Sequence, residues 1–563
     1  MAEPVRGIER WIPGVTSLAT YRRGWLRSDV VAGIVLAAIL IPQGMAYAEL
    51  AGLPAVTGLY TTVACLVGYA LFGPSRVLVL GPDSSVGPLI LVAITPLLVT
   101  NDPKSAVALA GVLALLVGLI EIGLGVAKLG FVADLLSIEI QVGYMNGLAI
   151  TIIVGQLPKL FGFSTDATSF LGDVRAFFGS LDETSAVTLT VGLAVLATLL
   201  VLPHFTRRVP AVLVAVVGAT VVSAVFDLAA HGVATVGSLP SGLPRPSFPW
   251  TNAKDALELL AAAAGITLVS LTDTIATAAS FAARRGEEVH PNQEMIGIGA
   301  ANIAASFFQG FAVSTSGSRT AVAEQSGAKS QVTGLVGAGL VVILLLFLNS
   351  LLADLPQTVL AAVVIAAALS LANLAAIRRY YAVRKSAFVL SLVATLGVVL
   401  FGVLEGIGIA VGLAVLLVFQ RNWRAHSAVL GQVEGIEGWH DVERFPHAAQ
   451  PPRIVVYRWE APLFFANAGA FREEVLSIAR ERKPDWVVVH CEAVTDVDVT
   501  AAEMLEDLDK DLNANGIHMA FAGMRTRLQD LIVRYGLFET LDRDHFYPTL
   551  DAALDAIDDA QAT

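Results

Sequence analysis

Charge is scarce in this chain. Only 15% of its 563 residues are Asp, Glu, Lys or Arg, against roughly 25% in an average soluble domain. Hydrophobic residues make up 55% and the mean hydropathy is +0.70. A water-soluble chain this apolar would have no way to cover its surface. Cysteine is scarcer still: Cys65 and Cys491 are the two, which excludes a disulfide-held secreted scaffold. There is no Gly-x-y period, so no collagen-like fibre. The sequence shows no phosphate loop, no metal cluster and no nucleophile set beside a base. No cofactor, resident metal, nucleic-acid partner or enzymatic activity is therefore expected.

The charge that is present is unevenly divided. Of a formal net −12, residues 1–424 hold 24 Lys/Arg and 23 Asp/Glu, a balance of +1. Residues 425–563 hold 12 and 25, a balance of −13. The chain reads as a near-neutral apolar body followed by an acidic, water-soluble one.

A membrane-spanning helix needs about 20 mostly apolar residues. The stretches 30–48, 184–203, 209–226, 330–353, 355–377 and 386–404 carry no charge at all. The stretches 50–75, 84–101, 105–127, 131–157, 253–283, 291–309 and 406–420 are interrupted by Gly, Pro or an acid. A fourteenth, around 318–325, is too short to span. Fourteen alternating helices with the N-terminus inside put 18 flanking Lys/Arg on the cytoplasmic side and 5 outside, which is the bias that sets orientation. Arg22, Arg23, Arg27, Arg207, Arg208, Arg378, Arg379, Arg384 and Lys385 are among the 18. This orientation predicts a multi-pass protein of the cytoplasmic membrane, lipid-embedded, with both its N-terminal segment (1–28) and its acidic tail in the cytoplasm. No cleavable signal peptide is expected, because the charged leader is too long and the apolar stretch contains Pro42 and Gln43.

Polar groups inside such helices are expensive and usually functional. Three places concentrate them. Pro42-Gln43-Gly44-Met45-Ala46-Tyr47 lies in the first helix; Pro42 is expected to bend or open it, and Gln43 and Tyr47 share a face. A matched pair opens the third and tenth segments: Gly81-Pro82-Asp83-Ser84-Ser85 and Ser314-Thr315-Ser316-Gly317-Ser318-Arg319. They stand seven helices apart, and interrupted helices at corresponding positions of two halves point to a transporter site. Two half-helix N-termini would offer unpaired N–H groups and about one positive charge between them, and Arg319 a further full charge. The third place is Asp273 in the eighth helix, with Thr277 one turn on. Beside an anion site this carboxyl must be protonated, paired with Arg319, or holding a cation.

The soluble tail alternates predicted strands (454–459, 486–491, 517–523) with predicted helices (467–482, 500–513, 528–535, 548–560), the pattern of a small α/β sheet domain over 453–563. Residues 425–452 read as a linker. His490 is expected to be a satisfied core histidine.

Taken together, Ser28-Asp29-Val30-Val31-Ala32-Gly33, Ile41-Pro42-Gln43-Gly44-Met45-Ala46-Tyr47-Ala48, Leu50-Ala51-Gly52-Leu53-Pro54 and Gly58-Leu59-Tyr60 closely resemble the opening signature of the SulP anion transporters. Asn292-Gln293-Glu294, Asn302, Phe307-Phe308 and Ser318-Arg319 fit the same family, and the tail is similar to its STAS domain. The resemblance implies an α-helical polytopic membrane protein of fourteen segments, a 7+7 inverted repeat divided into core and gate domains over 29–424, with a small cytoplasmic α/β STAS domain. It implies an anion site made by Gln43, Tyr47, Asp83, Ser84, Ser85, Ser316, Gly317, Ser318 and Arg319. It also gives Asp273 and Thr277 a role with a coupling ion, H+ or Na+, and implies a homodimer held partly through the STAS domains.

The expected function is secondary active transport of a small inorganic anion, sulfate first, with bicarbonate or a dicarboxylate as the alternative. An organic-anion carrier on the same fold and a membrane-anchored signalling protein are the rivals. The second is disfavoured by the tail, where the position phosphorylated in soluble relatives of this domain is Val499 and cannot accept phosphate. Thr500 is expected to cap the following helix, with Glu503 completing the cap.

Overall fold

The computed structural model describes residues 12–98, 102–130, 137–165, 169–206, 210–240, 242–423, 425–537 and 541–562. Residues 1–11 of the predicted N-terminal segment, and the predicted flanking residues Arg207 and Arg208, lie outside these. The chain forms two compact units that divide between Ala414 and Val415.

The first unit is helical. In chain order it contains α1 (Pro13–Ala19), α2 (Leu26–Leu50), α3 (Ala55–Phe72), β1 (Leu80–Gly81), α4 (Gly87–Ile94), α5 (Pro103–Val126), α6 (Ile138–Phe161), α7 (Phe170–Gly179), α8 (Ala186–Phe205) and α9 (Ala211–Phe226). It continues with α10 (Ala253–Arg285), α11 (Pro291–Phe307), β2 (Ser314–Thr315), α12 (Gly317–Gln325), α13 (Val332–Ile343), α14 (Gln357–Leu371), α15 (Leu374–Val383) and α16 (Lys385–Phe401), and the division falls within the next helix, α17 (Val403–Trp423). Each of the fourteen predicted segments overlaps one of these helices, and 355–377 also reaches into α15. Among the described residues, eight helical stretches are long and apolar enough to cross a membrane, and four more are apolar but shorter. The interruption expected at Pro42 is absent as a break: α2 runs through it as one helix.

The helices sort into two bundles by what they pack against. Helices α2–α5 and α10–α13 pack on one another; α6, α8, α9, α14 and α16 pack on one another; α2 meets α14 and α9 between them. Glycine permits the closest approach in the first bundle. A Cβ on Gly58 of α3 would lie 1.8 Å from the Gly44 carbonyl oxygen of α2, so these two backbones touch at the turn between Gln43 and Tyr47.

Three buried carboxyls, each held by neutral donors, tie the first bundle together. Asp29 on α2 accepts from the Lys329 and Ser330 backbone N–H groups (2.7 and 3.2 Å) and from the Ser330 and Thr333 hydroxyls (2.8 and 3.0 Å) ahead of and within α13. Glu294 on α11 accepts from Tyr69 (2.6 Å) and from Ser75. Glu121 on α5 accepts from Ser270 (3.0 Å) and Asn302 (2.8 Å), and the Asn302 oxygen in turn accepts from the Val313 N–H (2.8 Å). The last network fixes the chain just before β2.

The second unit is a six-stranded sheet with helices on both faces. It runs β3 (Ser427–Val433), β4 (Ile436–Asp441), β5 (Ile454–Trp459), α18 (Ala468–Arg482), β6 (Trp486–His490), α19 (Val499–Asn513), β7 (His518–Ala522), α20 (Thr526–Arg534), β8 (Phe546–Tyr547) and α21 (Leu550–Ala562). The order is β4-β3-β5-β6-β7-β8, parallel from β5 to β8 and antiparallel at β3 and β4. Alternation along β6 shows why both faces are covered. Val487 and Val489 join Phe471, Leu505 and Ile532 on one side, whereas Val488 joins Leu430, Leu550 and Ile557 on the other.

The stretch 425–452 is therefore not a linker. Two strands lie in it, and β3 pairs Ser427–Leu430 with Val456–Trp459 of β5. Its polar alternation and the turn at Gly435 hid it from a hydrophobicity reading.

Two local expectations also change. The cap of α19 is Asp498, whose carboxylate accepts from the Ala501 and Phe465 N–H groups, both at 2.8 Å; Thr500 lies inside the helix. Asp reaches back to the N3 amide as Thr would have, and it stands one residue before the helix starts. His490 is not satisfied: its Nδ1 is buried with no hydrogen-bond partner among the described residues, and its Nε2 stands 3.7 Å from Glu492.

Candidate functional site

The two chain segments that the sequence matched to each other meet in the first bundle. β1 and β2 pair antiparallel, Leu80 with Thr315 and Gly81 with Ser314. The Ser316 N–H adds a bond to the Val79 carbonyl (3.3 Å), and the Thr320 hydroxyl accepts from the Val79 N–H (3.1 Å). α12 follows β2 immediately, and a turn at 84–86 leads from β1 into α4. Both short helices thus start from one crossing. The Gly317 and Ser318 N–H groups, at the start of α12, have no preceding helical carbonyl to bond.

Beside the crossing lies a cavity of about 630 Å³. One wall comes from the first bundle: Gln43 and Tyr47 of α2, Asp83 and Ser84, Asp273 and Thr277 of α10, and Ser316, Gly317 and Ser318. Ser85 is buried just behind this wall, its hydroxyl donating to Asp83 Oδ1 at 2.8 Å. Thr277 faces α12: a Cβ added to Gly317 would lie 3.9 Å from its hydroxyl.

Arg319 is placed differently from the other expected site residues. It is 1% exposed, and its guanidinium points back into the crossing. It donates to the Pro82 carbonyl, and from Nη2 to Asp83 Oδ2 (3.4 Å) and the Gly81 carbonyl (3.5 Å). Arg319 also lines a second cavity of about 620 Å³ with Gln43, Val31, Val35, Val322 and Gln325, while its Nε is buried with no hydrogen-bond partner among the described residues. Of the three options for Asp273, pairing with Arg319 is removed. The charge of Arg319 reaches the site already opposed by Asp83.

Asp273 is held by polar neutral groups. Oδ1 accepts from the Gln141 amide and Oδ2 contacts the Ser85 hydroxyl, each at 3.2 Å. Ser85 has one hydrogen, and Asp83 lies nearer to it.

The opposite wall was missed by sequence reasoning. Gln141 and Met145 of α6, Leu199 and Pro203 of α8, Ala211 and Val212 of α9, and Val363, Ala366, Ala367, Ser370 and Leu371 of α14 form it. Gln141 was visible, with Asn146 and Gln156, as one of three amides in the run 131–157; apart from Ser370 the rest carries no polar signal.

A helical membrane protein built as two bundles, with a polar cavity between them and two half-helices starting at its wall, has the architecture of a membrane carrier. Residues 26–394 match the sulfate permease family and residues 445–553 the STAS domain. The chain belongs to the sulfate permease family, a family of transporters and not of enzymes. It is 41% identical over 548 residues to a protein named probable sulfate transporter from Mycobacterium tuberculosis (strain ATCC 25618 / H37Rv), covering 97% of this chain and 98% of that one. It is 30% identical to a probable sulfate transporter of Arabidopsis thaliana, over 95% of this chain and 87% of the relative. Its fold is like that of the murine Solute Carrier 26 family member A9 anion transporter in the inward-facing state, with a TM-score of 0.90 at 24% identity, covering 100% of this chain and 96% of that one. The transmembrane domain of a cyanobacterium bicarbonate transporter matches with a TM-score of 0.61 at 22% identity, covering 70% of this chain and 98% of that one.

Proposed function

We propose that this protein moves a small inorganic anion, sulfate first, across the cytoplasmic membrane by secondary active transport. The single observation that carries this reading is the β1–β2 crossing, which gathers the starts of α4 and α12 at one cavity. Its antiparallel register is what an inverted seven-plus-seven repeat requires. The Gly317 and Ser318 N–H groups, the Ser84, Ser316 and Ser318 hydroxyls, the Gln43 amide and the Tyr47 hydroxyl are all able to donate hydrogen bonds. Such a set suits an oxyanion and leaves a neutral solute underused. Sulfate is preferred over bicarbonate and dicarboxylates because the relatives similar along the whole chain are named for it.

The first bundle would carry the site past the second, exposing it to each side in turn. The present arrangement is shut at the end where α2 finishes. There the residues Thr358–Ile365 of α14 are buried and Glu49 pairs with Lys159. Towards the other end, the later part of α14 lines the cavity. With the N-terminus inside, this is the inward-open state. Both the orientation of the STAS domain towards the cytoplasm and a homodimer held partly through it belong to the same reading.

Coupling falls to Asp273. One Ser85 hydrogen cannot serve two carboxylates, so a proton on Asp273 completes the Asp83–Ser85–Asp273 chain. Sodium held by Asp273 and Thr277 is the other way to remove the charge. Radiolabelled sulfate uptake into proteoliposomes, with bicarbonate, chloride and dicarboxylate competitors and imposed proton or sodium gradients, tests all of this. Sulfate uptake driven by one gradient is expected. Uptake that no sulfate excess inhibits would overturn the substrate, and indifference to both gradients would overturn the coupling.

A further inference from the structure

The helix α15 joins α14 to α16 and buries none of its residues. Leu374 is 63% exposed, Tyr381 64% and Val383 77%. At about 100° per residue, Leu374, Ile377 and Tyr381 share one face, Arg378 lies at its edge, and Arg379 points to the side away from it. Arg384 and Lys385 follow directly, so four exposed cations fall within eight positions. None of the four makes an ion pair among the described residues. An acid does lie close by, Glu139 at the start of α6, but it acts on Tyr380 and pairs with none of them.

We propose that α15 is a binding site for the headgroup of an anionic phospholipid. The helix links two apolar helices, so it lies where hydrocarbon gives way to headgroups. An amphipathic helix there sinks its apolar face among the acyl chains and leaves its cations at the phosphate level. A zwitterionic lipid would cover Leu374 and Tyr381 but leave four charges unopposed. An anionic one answers both features, and the Arg forks suit phosphate oxygens. The site also touches transport. Ser370 and Leu371 line the cavity four and three residues ahead of α15, and Asn373, which caps α15, is itself held by Asn146 of α6 (2.8 Å). A lipid holding α15 would therefore steady the second bundle's wall of the site.

The inference rests on the membrane-carrier reading but not on which anion is carried, so its test reads lipid and not uptake. The full chain is reconstituted in nanodiscs of equal parts phosphatidylcholine and phosphatidylglycerol, and the lipid retained after extraction is measured by native mass spectrometry. The unaltered protein is expected to retain phosphatidylglycerol in excess, and the R378Q/R379Q/R384Q/K385Q variant to lose that excess about tenfold. Equal retention by both proteins overturns the proposal. So does a variant that keeps its lipid but exposes residues 425–563 to protease, since the cations would then be holding the acidic tail. If the fourfold variant does not fold, R378Q/R379Q alone, altered at two exposed positions, carries the same comparison.

Discussion

Arg319 is paired with Asp83, 3.4 Å from Nη2 to Oδ2, on the same side of the β1–β2 crossing as the start of α4. The pair links the two half-helix segments across 236 positions of chain. Removing one partner of a buried pair leaves the other charge uncompensated, a cost of about 3–5 kcal/mol. Arg319→Ala should therefore abolish concentrative uptake and also lower Tm. Adding Asp83→Asn should recover much of the Tm and none of the uptake. Uptake at the normal rate by the folded single variant would remove Arg319 from the site.

Asp273→Asn keeps an acceptor for Gln141 and a partner for Ser85, so the fold should be unchanged. What it loses is the ability to switch charge. Uptake by this variant is expected to ignore an imposed proton or sodium gradient, while the anion still binds in a filter or calorimetric assay. Full gradient stimulation in the variant would make Asp273 structural.

The legible parts of this protein were those with a local chemical signature. The thirteen apolar runs, the parallel strands of the tail and the polar interruptions at Gln43, Ser84 and Ser316 each break their surroundings in a way a sequence shows. Partner choice was not legible, because it depends on how segments cross. Nothing local says that Arg319 turns to Asp83 and leaves Asp273 to Gln141. The second wall was invisible for another reason: Val363, Ala366 and Ala367 shape a cavity only by their placement, and apolar residues in an apolar helix look alike.

His490 gives the soluble unit a pH dependence. Burial lowers its pKa below the ordinary 6.5; nearby Arg458 lowers it too, and Glu492 works against both. The folded unit therefore favours the neutral ring. Its contribution is present above the unfolded value and lost as pH falls through the folded one. Tm of the soluble unit should drop below about pH 6.5, and the drop should be smaller in His490→Gln. Parallel Tm profiles for the two proteins would show that His490 does not set the slope.

Glu49 ends α2 in the first bundle, and Lys159 ends α6 in the second; they meet at 3.7 Å on the shut side. Both keep some solvent exposure, 17% and 35%, so the pair is worth about 0.2–1 kcal/mol. That is small for stability but is a bias of up to about fivefold on an equilibrium between two arrangements. It acts on one arrangement only, because the pair must separate if the first bundle moves. Glu49→Lys or Lys159→Glu should thus raise the population open on the far side. Impermeant maleimide labelling of a cysteine placed at Ser316 reads this directly, since Cys65 and Cys491 are buried. The exchanged pair, Glu49→Lys with Lys159→Glu, should return labelling to the original level. If the exchanged pair labels like the single variants, the two residues do not act on each other, and the shut side is held by the packing of α2 on α14 alone.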